Sequence, residues 1–243
     1  MVLYSYIKQR PQPYRQVLSA ISTLFVFGGL SLIGWVAYPI LAFEIFYAPR
    51  FMNIIKPYSD TIISEAMENK ILGASISEGF SAEAGVDYTR ASTWFPKASP
   101  QVLNSKVSSY LVSIPKLKIE NATSRVGSEE LSKSLIHWGG SPLPGEYGTS
   151  IIFGHSSLVW LYDPKDYLKI FSKLPELNRG DDIYFTVDKA TYRYQVEEMK
   201  VVSPEDLSVL EQKYDDAYVT LITCVPPGTY LKRLVVKARM VKF

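Results

Sequence analysis

A single cysteine, Cys224, closes the run Tyr218-Val-Thr-Leu-Ile-Thr-Cys224. Outside the cell cysteines ordinarily pair, so a lone exported thiol is either an inert buried side chain or a reactive nucleophile. A thiolate nucleophile needs an imidazole to trade protons with the reacting groups. Only two histidines are present. His155 follows Thr149-Ser-Ile-Ile-Phe153 and Gly154, which places it at the end of a strand-like run. His137 lies in Ile136-His-Trp-Gly-Gly-Ser141, a turn-like stretch where a histidine is ordinarily a surface or hydrogen-bonding residue. Beyond Cys224, Pro226, Pro227 and Gly228 mark a loop, and the next run starts near Leu231. A hairpin about that loop puts Cys224 opposite Arg233, and directly opposite residues share a sheet face. A guanidinium there favours thiolate and, through its planar fork, stabilises an oxyanion. The competing reading leaves Arg233 in solvent like Lys232 and Lys237.

Such side chains need strand ends to hold them still and loops to keep them accessible. From about Val107 onward the chain supplies both. Tyr110-Leu-Val-Ser-Ile114, Thr149–Phe153, Asp182-Ile-Tyr-Phe-Thr-Val187, Thr191-Tyr-Arg-Tyr-Gln-Val196, Tyr218–Ile222 and Leu231–Val241 are short runs rich in β-branched and aromatic residues, punctuated by turn formers. Two helical insertions are expected. One covers about Lys165 to Leu174; the other opens at Ser203-Pro204-Glu205-Asp206, with Ser203 as cap, Pro204 in the first helical position and acids at the positive end of the dipole. Short strands at this density with few helices predict an all-β domain, a closed or nearly closed barrel.

The N-terminal third is of another kind. No residue from Val17 to Phe43 carries a charge, and a bilayer core needs only about 20 apolar residues. This run is therefore expected to be one transmembrane helix. Trp35, Tyr38 and Tyr47 lie toward its far end, and Lys8, Arg10 and Arg15 precede it, which puts the N-terminus in the cytoplasm and the rest outside. A cleaved signal peptide would have a shorter apolar core and a small-residue cleavage site, so an uncleaved signal anchor fits better. Pro57–Leu72 has helical character, while 73–100 is rich in Ser, Ala and Gly without a sustained period. The expected organisation is a cytoplasmic segment 1–16, a signal anchor 17–43, a stalk or lead-in 44–106 and a catalytic domain 107–243.

Composition excludes other classes. With 243 residues, 47% of them hydrophobic, the chain can bury one ordinary domain and does not need a disulfide scaffold. The 26 basic and 24 acidic residues are interspersed and leave a net charge of +2, so no nucleic-acid partner is expected. One cysteine and two separated histidines do not make a zinc-ligand pattern. There is no phosphate-cradling glycine loop or nucleophile-elbow serine, and no cofactor is expected.

Taken together, Gly139–Gly145 with Leu143-Pro144-Gly145, Ile151-Ile-Phe-Gly-His155, Thr220-Leu-Ile-Thr-Cys224 and Arg233-Leu-Val-Val236 resemble the sortase family over roughly the last 135 residues. The threonine-leucine-x-threonine-cysteine signature occurs with a glycine-histidine upstream and an arginine downstream, in the family's order. The resemblance implies an eight-stranded sortase-type β-barrel with short helical insertions. It makes Cys224 the nucleophile, His155 the general acid/base and Arg233 the group that positions substrate and stabilises the oxyanion, with Thr223 and Leu221 as substrate-binding candidates. The connection from Val201 to Ala217 would shape substrate choice. Where many sortases have asparagine before the histidine strand this chain has Thr149, and no aspartate-proline-aromatic lid motif is obvious ahead of the barrel.

The implied reaction cuts a leucine-proline-x-threonine-glycine-like sorting motif near the C-terminus of an exported protein. It passes through a thioester to an amine on a cell-wall precursor or a pilin subunit. Wall anchoring and pilin polymerisation both remain open. A papain-like protease has its cysteine ahead of its histidine, the reverse of the order here. Peptidoglycan transpeptidases that use cysteine carry it close behind a histidine-bearing loop. A membrane-tethered adhesion domain with an inert Cys224 is the alternative outside enzymes.

Overall fold

The computed structural model describes residues 13–51, 87, 89–95 and 107–242. The chain divides into two compact units, 1–42 and 43–243. In the first, the described residues form one helix, α1 (Pro13–Ala42). It is apolar and long enough to cross a membrane, and no part of its apolar stretch is buried by protein.

The second unit is built on a closed barrel of eight strands: β1 (Ser109–Ile114), β2 (Ile119–Val126), β3 (Leu135–His137), β4 (Gly148–Phe153), β5 (Asp182–Val187), β6 (Ala190–Val202), β7 (Ala217–Val225) and β8 (Lys232–Met240). Around the barrel they run β1-β2-β3-β4-β7-β8-β6-β5. β2 with β3 and β4 with β7 are parallel pairs; the other neighbours are antiparallel. One apolar cluster, including Val112, Leu135, Ile152, Phe185, Tyr194, Leu221, Leu234 and Val236, fills the interior. A second lies on the outer face, where Ile136, Ile151, Phe153, Ile222, Cys224 and Val235 are covered by Ala91, Trp94, Phe95, Leu131 and Val209. Two-sided cover explains why every residue of β7 is buried, whereas β5 alternates half-buried and buried positions, one sheet face covered and the other partly open.

A π-helical turn (Phe43–Tyr47) and the short α2 (Ala48–Phe51) open this unit. Phe43 and Ala48 join the main cluster, and Glu44 pairs with Lys232 at 3.3 Å. Of the proposed lead-in, the expected helix 57–72 lies outside the described residues.

The six strands read from the residues are all present, and two whose positions the sequence does not mark complete the expected eight. β2 carries the polar sequence Ile-Glu-Asn-Ala-Thr-Ser-Arg-Val and a positive φ at Asn121, so neither alternation nor apolarity marks it. β3 is three residues long and contains His137, which sits buried at a strand end rather than in an exposed turn. The two expected α-helices are absent. Around Lys165–Leu174 the chain makes turns before a 3-10 helix at Leu174–Glu176, because Asp163 and Asp166 accept from the backbone N–H of Lys165 and Leu168 and so favour turns over a helix. After Ser203 there is a turn, and the cap belongs to Asp206, whose side chain accepts from Ser208 N ahead of a 3-10 helix at Leu207–Leu210.

Candidate active site

β7 and β8 pair with Cys224 directly opposite Arg233, the register reached by counting across the proline loop. Both side chains belong to the outer face, and each is only 1% exposed. His155 enters from β4, the parallel neighbour of β7. Three bonds stitch the end of β4 to the end of β7. Gly154 N donates to Ile222 O at 3.1 Å, Thr223 Oγ1 donates to Gly154 O at 2.7 Å and Ser156 Oγ donates to Cys224 O at 2.6 Å. His155 is thereby held between two residues bonded to the Cys224 strand. Glycine is required just before it: a Cβ at residue 154 would lie 2.4 Å from the Phe171 ring and 2.7 Å from Leu135.

Leu221 and Thr223, the two substrate-binding candidates, are both fully buried. Leu221 is in the interior cluster, and Thr223, two residues on and fully buried, spends its hydroxyl on Gly154 O. The β7 side chains that share the Cys224 face are Tyr218, Thr220 and Ile222. Thr149 is buried at the start of β4 with its backbone N and O both held by the Gln212 side-chain amide, at 2.9 and 3.1 Å. Gln212 thus clips the connection between β6 and β7 to the strand that leads to His155.

Trp94 packs against His155 and Arg233 and shares the outer cluster with Cys224. Its ring centroid is 5.7 Å from that of His155 and 5.4 Å from Cζ of Arg233, and its carbonyl accepts from Arg233 Nη2 at 3.1 Å. Arg233 Nη1 donates to the carbonyls of Tyr230 and Lys232 at 2.9 and 3.2 Å. The covering segment is pinned by the loop between β2 and β3: Ala91 N donates to Glu129 O, Ser92 N to the Glu129 carboxylate, and Leu131 N to Thr89 O. No aspartate-proline-aromatic motif announces it. Trp94 stands in Ala91-Ser-Thr-Trp-Phe95 without a sustained period, and its ring meets Phe153, His155 and Arg233, the last 139 positions away.

Cover sets the electrostatics. Burial pushes the Cys224 thiol up to about 11 despite the opposing pull of Arg233. Burial also brings His155 down to about 4, with Asp87 pulling weakly the other way. Near pH 7 this closed arrangement therefore holds a neutral thiol and a neutral imidazole. Among the described residues, His155 Nε2 and Arg233 Nε are buried without a hydrogen-bond partner. Four buried hydroxyls, those of Ser124, Ser134, Thr149 and Ser150, share this state, so what singles out these two atoms is their place beside Cys224. His137, the other histidine, is spoken for: Nδ1 accepts from Tyr110 OH at 2.9 Å and Nε2 donates to Ser141 O at 3.0 Å. Among the described residues no group of three or more histidine, cysteine or acidic side chains is placed to hold a metal ion.

The sortase domain profile matches residues 112–241, more than half of the sequence. The chain belongs to the sortase family. Sortase D of Bacillus subtilis is 24% identical over 135 residues, covering 54% of this chain and 63% of that protein. Sortase A of Listeria monocytogenes is 33% identical over 78 residues, covering 32% of this chain and 35% of its own. The chain spans under two thirds of the length of each of these relatives. Among solved structures, the pilus-related sortase C of Group B Streptococcus superposes with a TM-score of 0.50 at 28% identity, over 62% of this chain and 78% of that one. The eight-stranded closed barrel is thus a sortase barrel.

Proposed function

We propose that this sortase is a membrane-anchored cysteine transpeptidase acting on a leucine-proline-x-threonine-glycine-like sorting motif, with Cys224, His155 and Arg233 as its catalytic residues. The observation that carries this reading is the convergence of these three side chains at one rim, on strand ends tied together by the Gly154, Thr223 and Ser156 bonds. When peptide displaces the Trp94 cover, the Cys224 thiol passes its proton to His155, and the thiolate so formed attacks the threonine carbonyl carbon. The C=O electron pair moves to oxygen, and Arg233, freed from the Trp94 carbonyl, supplies a guanidinium N–H to that oxyanion. His155 gives its proton to the leaving glycine nitrogen as the tetrahedral intermediate collapses to a thioester. An incoming amine then loses a proton to His155 and displaces the sulfur, restoring the thiolate and the imidazolium. Splitting the reaction at the thioester lets one site cut and join. The acceptor is an amine of a cell-wall precursor or of a pilin subunit, reached because α1 holds the enzyme at the membrane.

Incubating the full chain with a panel of sorting peptides, then measuring its intact mass, should reveal an adduct at Cys224 that a suitable amine resolves to the amide. Cys224→Ala abolishes the adduct, and His155→Ala nearly does. Arg233→Lys keeps the charge but loses the planar fork, and turnover falls on the order of 10²-fold. Absence of any Cys224 adduct across the panel overturns the proposal.

A further inference from the structure

Two loops flank the candidate site at the same rim. One follows His155 and carries Trp160 and Leu161; the other follows Cys224 and carries Tyr230 and Leu231. All four side chains are about half exposed. The loops touch: a Cβ at Gly228 would lie 2.8 Å from Leu158 Cδ2, so Leu158 packs directly on the backbone of the second loop. Both are stiff. Leu161 N donates to Leu158 O at 2.9 Å and Tyr162 N to Val159 O at 3.1 Å, while Thr229 closes the other turn through Pro226 O. Large apolar groups gathered on ordered loops, beside a site already covered from another side, mark a surface that meets something apolar.

The chain itself points to the occupant. Lys232 follows Leu231 directly and pairs with Glu44, which comes two residues after Ala42, the last residue of the apolar helix. The rim bearing Leu231 is therefore paired with the segment that directly follows α1 in the chain. Tryptophan and tyrosine favour the layer between water and acyl chains, and leucine favours the chains below it. Because Lys232 is already paired with Glu44, apolar burial rather than lipid charge is the attractive force.

We infer that Trp160, Leu161, Tyr230 and Leu231 form a docking surface for the lipid bilayer, seating the rim that carries His155 and Cys224 in the interfacial layer. This rests on the proposed membrane anchoring by α1. The consequence is a site presented to groups that lie at the membrane surface rather than to those free in bulk water.

Tryptophan emission tests the surface and the anchor separately. The chain has four tryptophans. Trp94 and Trp138 are buried, Trp35 lies in α1 and Trp160 in the first loop. Full-length Trp35→Phe and Trp160→Phe variants are reconstituted in vesicles of zwitterionic phosphatidylcholine brominated either near the headgroup or near the acyl-chain end. In Trp35→Phe, headgroup-proximal bromine should remove most of the Trp160 component, and the deep bromine much less. High salt should leave this unchanged, and adding Leu161→Ser with Leu231→Ser should at least halve it. In Trp160→Phe, quenching of Trp35 reports the anchor. Quenching of Trp35 without quenching of Trp160 overturns the docking surface and leaves the anchor standing; loss of both overturns the anchor as well.

Discussion

Burial decides how the proposed nucleophile behaves at rest: it outweighs the nearby guanidinium in setting the Cys224 thiol at about 11, and Trp94 is part of the buried cluster that holds it. Trp94→Ala admits water, lowers the thiol's titration and should raise the rate of Cys224 alkylation near pH 8 on the order of 10-fold. Rates followed from pH 6 to 11 check this, and superimposed profiles for the two proteins would refute the covering role. His137 yields a stability prediction of definite sign. Burial holds it at about 4 in the fold, below the roughly 6.5 of an exposed imidazole. The unfolded chain therefore takes the proton first, so the stabilisation is full above pH 6.5 and is lost as pH falls toward 4. His155, also at about 4, acts in the same window. His137→Gln keeps a donor and an acceptor but does not titrate, so its unfolding free energy should fall less than that of the unaltered chain between pH 7 and 4.5, a difference on the order of 1–3 kcal/mol. Thermal unfolding at both pH values measures it. The opposition of Cys224 and Arg233 was legible because a hairpin fixes register by counting. The burial of Trp94 was not, since it depends on residues distant in the chain and on no local periodicity.

At the level of elements, β4 and β7 carry the arrangement, and Gly154 is where they come closest to side chains that cannot yield. Gly154→Ala drives a methyl into Phe171 and Leu135, so it should destabilise the domain by about 1–3 kcal/mol and displace His155. Denaturant unfolding combined with peptide turnover separates the two effects: activity should fall even where the variant is fully folded. The apolar strands were plain in the sequence because β-branched and aromatic runs end at turn formers. β2 was hidden by its polar composition and β3 by its length, each being held by neighbours rather than by its own pattern. The expected helices failed for a related reason. Aspartates placed to cap also place the backbone in turns, and no apolar period followed to extend them.

For the whole molecule, the proposed orientation puts everything after Glu44 outside the cell. Protease added to intact cells or right-side-out vesicles should remove the catalytic domain, and its protection would reverse the topology. The parallel pairing of β4 with β7 has a kinetic consequence. The Thr223–Gly154 bond joins positions 69 apart, and β5 and β6 must be made between them. Contacts of such long sequence separation carry a high loop-closure cost and form late. Cys224 meets His155 once β7 has paired with β4. A chain in which that pairing has not formed has the sulfur without its proposed acid–base partner, so peptide turnover, unlike simple thiol labelling, is itself a report that this non-local pairing is complete.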